Sequence, residues 1–232
     1  MQLKTIEWEY QKMIELKDAN IFQGENEILN GVNMEVRTGE FCYIFGKSGS
    51  GKSSLLKTLY GDLPLKQGSG TVSNFDLKGL DYTNKYLFRR TLGVVFQDYF
   101  LFESWDVFHN LDYILRALGW PDKTVREQRI KEALLEVGLL KKIWQKVYTL
   151  SGGEQQLLTI ARAIINNPLV LIADEPTNSL DHETADDFMQ LIRKINQKYH
   201  TAVVFATHDQ RVIQRFPARA YRCEGGKLIE VD

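Results

Sequence analysis

Along this chain, apolar residues fall into short runs separated by glycine and polar turns. Phe41–Phe45 (FCYIF), Val94–Phe96, Leu169–Ala173 (LVLIA) and Ala202–Ala206 (AVVFA) have almost no polar interruption. Such runs are the pattern of strands buried on both faces, as in parallel sheets. Met13–Leu16 and Asn33–Val36 read as further strands. Residues 220–231 read as a closing strand pair turning at Gly225-Gly226. Helical periodicity covers Lys52–Tyr60, Ser151–Asn166, Glu183–Tyr199 and Gln210–Phe216. It also covers VFHNLDYILRALGW and REQRIKEALLEVG between Val107 and Val137, with Pro121 between the two. The predicted architecture is α/β. A mixed, mostly parallel sheet with flanking helices carries an N-terminal antiparallel β part and a helical subdomain insert. One domain is expected over residues 13–232, with core segments 13–97 and 166–232 and the insert at about 98–165. Residues 1–12 read as an added arm with Trp8 and Tyr10.

Composition narrows the function. The 232 residues are 44% hydrophobic and 25% charged, which suits one globular domain. The net charge of −1 weighs against nucleic acid as the main partner. Two cysteines, Cys42 and Cys223, lack metal-type spacing and read as reduced core thiols of a cytosolic protein. No apolar run approaches the ~20 residues that cross a bilayer. The acidic residues among the first sixteen positions do not suit a signal peptide. The expectation is a cytoplasmic protein without direct membrane insertion, reaching the inner face of the cell membrane only through a partner.

The candidate chemistry begins where the strand pattern breaks. Gly46-Lys47-Ser48-Gly49-Ser50-Gly51-Lys52-Ser53 fits G-x-x-x-x-G-K-[ST] and lies between a predicted strand and a predicted helix. The glycines let backbone N–H groups converge on phosphate oxygens, and the helix start adds its positive end. Lys52 is expected to reach the β- and γ-phosphates, Ser53 to bind Mg²⁺, and Ser54 to join the loop in binding the nucleotide. The predicted fold is therefore a P-loop NTPase core. Downstream, the strand Leu169–Ala173 runs into Asp174 and Glu175. Strand ends in open α/β sheets face the ligand crevice. Asp174 suits the metal role, and Glu175 suits a general base for an attacking water.

Ser151-Gly152-Gly153-Glu154 opens another helix. Ser151 and Glu154 have capping-box spacing, which accounts for the cap but not for two adjacent glycines. Bare backbone at a helix start is a second anion site.

The stretch LSGGEQQ resembles the signature sequence of ABC-type ATPases. The resemblance implies that Ser151, Gly152, Gly153 and Glu154 meet the γ-phosphate of ATP held by a second subunit, in a homodimer enclosing two ATP. It also implies that Gln97 in VVFQD stands near Mg²⁺ and the attacking water. Asp181 in SLD lies on the dimer interface, His208 in ATHD contacts the γ-phosphate, and Phe22 stacks on adenine. Asp181 also suits a plain helix cap, and Phe22 a core aromatic. Where the family usually has arginine after the second glutamine, this chain has Leu157.

LFRRTLGVVFQDYFLFESWDVFHNL and FPARAYRCEGGKL are similar to the cell-division, FtsE-type branch. The lipoprotein-release and macrolide-export branches share much of the first stretch. The resemblance implies an integral membrane subunit of the FtsX type and an output in cell-wall hydrolysis. Export by a sister-branch transporter is the alternative, and a soluble assembly factor a further one. Tyr99, Phe100, Phe102, Trp105 and Phe108 suit either a partner groove or the insert's own core.

Overall fold

In the computed structural model, which describes residues 11–231, ten strands and seven α-helices alternate along the chain. The N-terminal arm lies outside the described residues except for Gln11 and Lys12.

The antiparallel part is larger than its sequence pattern. β1 (Lys12–Gln23) and β2 (Asn26–Arg37) form a long hairpin, continued by β4 (Gln67–Val72) and β5 (Phe75–Asp76) in the order β2-β1-β4-β5. The ends of β1 and β2 near the turn, and QGSGTV of β4, lack clean apolar alternation. They are strands because tertiary pairing supplies their hydrogen bonds. The second sheet has the order β10-β9-β3-β8-β7-β6. Its parallel members are β3 (Phe41–Phe45), β6 (Leu92–Val95), β7 (Val170–Asp174), β8 (Ala202–Thr207) and β9 (Arg219–Glu224), and β10 (Lys227–Val231) pairs antiparallel with β9.

The continuous apolar runs have the predicted cause. Alternate residues of each central strand enter two different cores. Tyr43, Leu171, Ala173, Val203 and Phe205 face one, while Cys42, Ile44, Val170, Ile172 and Val204 face the other. The second core lies between the two sheets around α1 (Lys52–Leu59). The first is capped by α3 (Val107–Ala117), α4 (Lys123–Glu136), α5 (Gly152–Ile164) and α6 (His182–Tyr199). A short α2 (Lys85–Arg90), absent from the periodicity, precedes β6, and α7 (Gln210–Arg215) follows β8. Both cysteines are free and buried. Leu157 packs against the first core, so the unusual residue of the signature helix serves packing.

Candidate active site

The loop Gly46–Gly51 joins the carboxyl end of β3 to the start of α1. It is held by close packing from below. A Cβ on Gly46 would stand 2.3 Å from the Cys223 carbonyl oxygen, so only glycine fits. The Cys223 thiol donates to the Ser50 carbonyl oxygen at 2.9 Å, so β9 is the floor of the loop. Lys47, Ser48, Gly49 and Ser50 line a cleft of about 610 Å³, with His208, Gln210, Arg222 and Glu224 on its other walls.

Lys52 is 3% exposed, a rare state for an ammonium. Its Nζ donates to the Gly46 and Lys47 carbonyl oxygens at 2.8 and 3.1 Å and lies 3.1 Å from Glu175 Oε1. Ser54, in the first turn of the helix, is buried. Ser53 Oγ donates to Asp174 Oδ1 at 3.2 Å. Burial pushes the Asp174 carboxyl above its ordinary range; the Ser53 bond opposes this, and the Glu175 charge adds to it. A buried carboxylate short of positive charge beside a hydroxyl suits a hard cation with oxygen ligands. Ser50 Oγ is buried with no hydrogen-bond partner among the described residues, leaving an unmet polar atom inside the loop.

Glu175 has a left-handed backbone, φ 46°, and its N–H donates to the Ala206 carbonyl oxygen at 3.0 Å. Such strain in a side chain pointing into a cleft is typical of functional positions. Its Oε2 lies 2.8 Å from His208 Nδ1. Lys52, Ser53, Asp174, Glu175 and His208 thus meet at the carboxyl ends of β3, β7 and β8.

Among the described residues, the other predicted residues, outside the loop, make no hydrogen bond to this group. Gln97 lies two residues beyond the end of β6 and is exposed. Ser151 caps α5 in a full capping box with Glu154, and Lys142 pairs with the Glu154 carboxylate. A Cβ on Gly152 would touch Tyr99 Oη at 3.7 Å, and one on Gly153 would touch Thr184 Cγ2 at 3.3 Å. Asp181 caps α6, accepting from Glu183 N, Thr184 N and Thr184 Oγ1. The starts of α5 and α6 are therefore neighbours, but neither lines the cleft over the phosphate loop. Phe22 is outside that cleft too, with the Lys66 ammonium 5.4 Å from its ring centre.

Two residues of this region escape sequence reasoning. Gln156 is fully buried and donates to the Pro176 carbonyl oxygen at 2.6 Å, tying α5 to the turn after Glu175. Cys223 supports the loop from a strand that follows it by more than 170 positions. For Gln156 the second glutamine of LSGGEQQ is the one signal in the sequence, and Cys223 has none.

A glycine loop that cradles anions, a buried lysine and two strand-end acids define a P-loop nucleotide hydrolase. The model of the ABC transporter family matches residues 29–178. The cell division ATP-binding protein FtsE of Streptococcus pneumoniae serotype 2 (strain D39 / NCTC 7466) is 38% identical over 218 residues, covering 94% of both chains. The methionine import ATP-binding protein MetN of Clostridioides difficile (strain 630) is 35% identical over 219 residues, covering 94% of this chain and 68% of its own. A dimeric ATP-binding cassette, solved in a post-hydrolysis state with ADP and phosphate, is 33% identical with a TM-score of 0.82, covering 95% of this chain and 98% of its own. The chain belongs to the ABC transporter family, as an ATP-hydrolysing subunit.

Proposed function

We propose that this chain is the Mg²⁺-ATP hydrolase of a cell-division complex, closing as a homodimer on two ATP and driving an integral membrane subunit of the FtsX type. The observation that carries the hydrolase is Glu175 held between Lys52 and His208 beside the Ser53–Asp174 pair. Ser53 and Asp174, with Gln97 from its loop, would hold Mg²⁺, which supplies charge neutralisation on the phosphates. When phosphate enters the loop, Lys52 exchanges Glu175 for phosphate oxygens. Glu175 keeps its bond to His208 and accepts the proton of the attacking water.

The dimer reading rests on Ser151–Gly153. These residues present bare backbone at a helix start yet do not line the cleft over the phosphate loop of their own chain. A second copy supplies the missing phosphate, with Asp181 beside it. The solved dimeric cassette is consistent with that arrangement. The cell-division branch rests on near full-length similarity to FtsE, and transport of the MetN kind is the competing reading.

The partner surface is the groove beside Gln97, lined by Tyr60, Phe96, Ile114, Leu118 and Arg162. Burial draws Arg162 down to about 10, and its Nη2 has no partner among the described residues. Beyond it, Phe102 stacks on Trp105 and Tyr113 meets both rings edge to face, all three still exposed. Phe108 is buried in the helical core, so the aromatics after Gln97 divide between the two roles. A helix of the membrane subunit suits this groove. No helix among the described residues is long and apolar enough to cross a membrane, so attachment there runs through the partner.

Glu175→Gln tests the hydrolase and the dimer together. ATP binding should persist, an ATP-dependent dimer should accumulate in light scattering, and turnover should fall ~10²–10⁴-fold. Unchanged turnover removes Glu175 as the base, and a variant monomeric in ATP removes the sandwich. Capture of membrane proteins with the tagged chain tests the branch. An FtsX-type subunit supports cell division, whereas an export or methionine-import subunit replaces that reading.

A further inference from the structure

One residue of β9 touches both ends of the phosphate loop. The parallel pairing of β3 with β9 sets Phe45 beside Arg222, which brings the next residues, Gly46 and Cys223, alongside each other. The Cys223 carbonyl oxygen closes against Gly46, and the Cys223 thiol reaches the Ser50 carbonyl oxygen at the other end of the loop. Cys223 is buried. That burial holds its thiol above the ordinary value, so at neutral pH the sulfur keeps the proton that it donates. The Ser50 N–H donates to the Lys47 carbonyl oxygen at 3.1 Å. The Ser50 hydroxyl has no partner among the described residues. The thiol is therefore the one polar contact between Ser50 and the floor of the site.

The direction of that bond decides what the loop offers to phosphate. Every peptide bond of the described chain is trans, and across a trans peptide the carbonyl and the following N–H point opposite ways. With the Ser50 carbonyl drawn onto β9, the Gly51 N–H is turned away from that strand. It donates to no group among the described residues, and neither do the N–H groups of Lys52, Ser53 and Ser54. A helix start leaves such donors open for an anion. The Ser50 carbonyl, one turn before Ser54, is the acceptor that could have closed one of them, and the thiol has taken it. Gly51 permits the turn with a left-handed φ of 108°.

We propose that Cys223 is a positioning residue for the nucleotide: its thiol fixes the Ser50–Gly51 peptide so that the Gly51 N–H and the open start of α1 face the phosphates. This inference rests on the loop being the ATP site. The effect belongs to binding and not to the hydrolytic step. Lys52, Asp174 and Glu175 are held by one another, by Ser53, by His208 and by loop carbonyls, and none of them hydrogen-bonds to the thiol.

The test separates the donor from the packing. Cys223→Ser keeps a donor, Cys223→Val keeps the bulk without one, and Cys223→Ala keeps neither. The Kd of Mg²⁺-ATP, read by titration with a fluorescent analogue, should rise about 3- to 10-fold in Cys223→Ala and Cys223→Val, as for the loss of one modest hydrogen bond. Cys223→Ser should stay within about twofold of the wild type. At saturating ATP, kcat should stay within about twofold in all three variants. Wild-type affinity in Cys223→Val beside a weakened Cys223→Ala would assign the effect to packing and overturn the proposal. Equal weakening of Cys223→Ser and Cys223→Ala would overturn it too, as would a fall in kcat with Kd unchanged. If Cys223→Val does not fold, the comparison of Cys223→Ser with Cys223→Ala decides alone. Lys52→Met, titrated alongside, tells the two levels apart. Unchanged affinity in Lys52→Met removes the loop as the ATP site, and the proposal with it. Loss of affinity in Lys52→Met alone leaves the loop in place and removes only the role of Cys223.

Discussion

Lys52 and Glu175 face each other at 3.1 Å across the mouth of the phosphate loop, although they come from opposite halves of the chain. Each holds the other in place until phosphate arrives. Lys52→Met should therefore do more than remove a ligand for ATP: it frees Glu175 from its resting partner. ATP affinity should fall about 10- to 100-fold, the value of one or more charged hydrogen bonds. Titration with a fluorescent nucleotide analogue measures this, and an unchanged affinity would remove Lys52 from the phosphate site.

Asp174 carries a stability cost. Its folded carboxyl is pushed above the ordinary value by burial, so the fold prefers the protonated form. Stability of the ligand-free chain falls as pH rises through that raised value, and at neutral pH the ionised group opposes folding. Asp174→Asn should raise the ligand-free Tm, by about 2–4 °C for each kcal/mol relieved. The same variant should lose the Mg²⁺-dependent part of ATP affinity. Calorimetry with and without Mg²⁺-ATP reads both, and a variant still stabilised by Mg²⁺ would assign the metal elsewhere.

The opposite sign holds in the helical region. Asp112 is buried and accepts from Arg126 Nε and Arg116 Nε, each at 2.6 Å. Burial pushes its carboxyl up, but the two guanidinium partners outweigh it and hold the group below the ordinary 3.8. Its contribution is complete above the unfolded value and disappears as pH falls through the lower folded one. Arg126 also donates to the Trp120 and Pro121 carbonyl oxygens, fixing the turn between α3 and α4. Asp112→Ala should destabilise by about 3–5 kcal/mol, because it strands a buried guanidinium. Denaturant unfolding at pH 7 should show that loss, and the gap from the wild type should narrow below about pH 4. A pH-independent gap would mean that packing, not charge, holds the turn.

Ser151 has two separable roles. As the cap of α5 it accepts from Glu154 N at 3.3 Å, and Ser151→Ala should cost about 1 kcal/mol. If Ser151 also reaches the partner's phosphate, the same variant should bind ATP as a monomer but fail to dimerise. Sedimentation in the Glu175→Gln background distinguishes the roles. Normal dimerisation would leave only the cap.

The local chemistry is legible in the sequence. The phosphate loop, the strand-end acids and the capping box are each encoded within a few consecutive residues, and the unbroken apolar runs of β3, β7 and β8 encode double burial. The long β1–β2 hairpin, the glycine-rich β4 and the short α2 are not legible there. Their residues have weak intrinsic preferences, and pairing with distant segments sets their conformation. Phe22 shows the same limit from the other side. Its approximate position suits an adenine contact, and only the fold shows the Lys66 ammonium beside its ring.

By itself the sequence determined which residues carry charge, bare backbone or a nucleophile-activating group, because those properties belong to side chains and short spacings. Only the tertiary structure decided which of them meet. Parallel strand order brings Ser53 to Asp174 and His208 to Glu175, while the starts of α5 and α6 do not line the cleft over their own phosphate loop. It also recruited Cys223 and Gln156, whose roles come from contacts between remote segments. The reason is physical: a contact between segments far apart in the chain depends on the crossover that orders the strands, and no local pattern records that order.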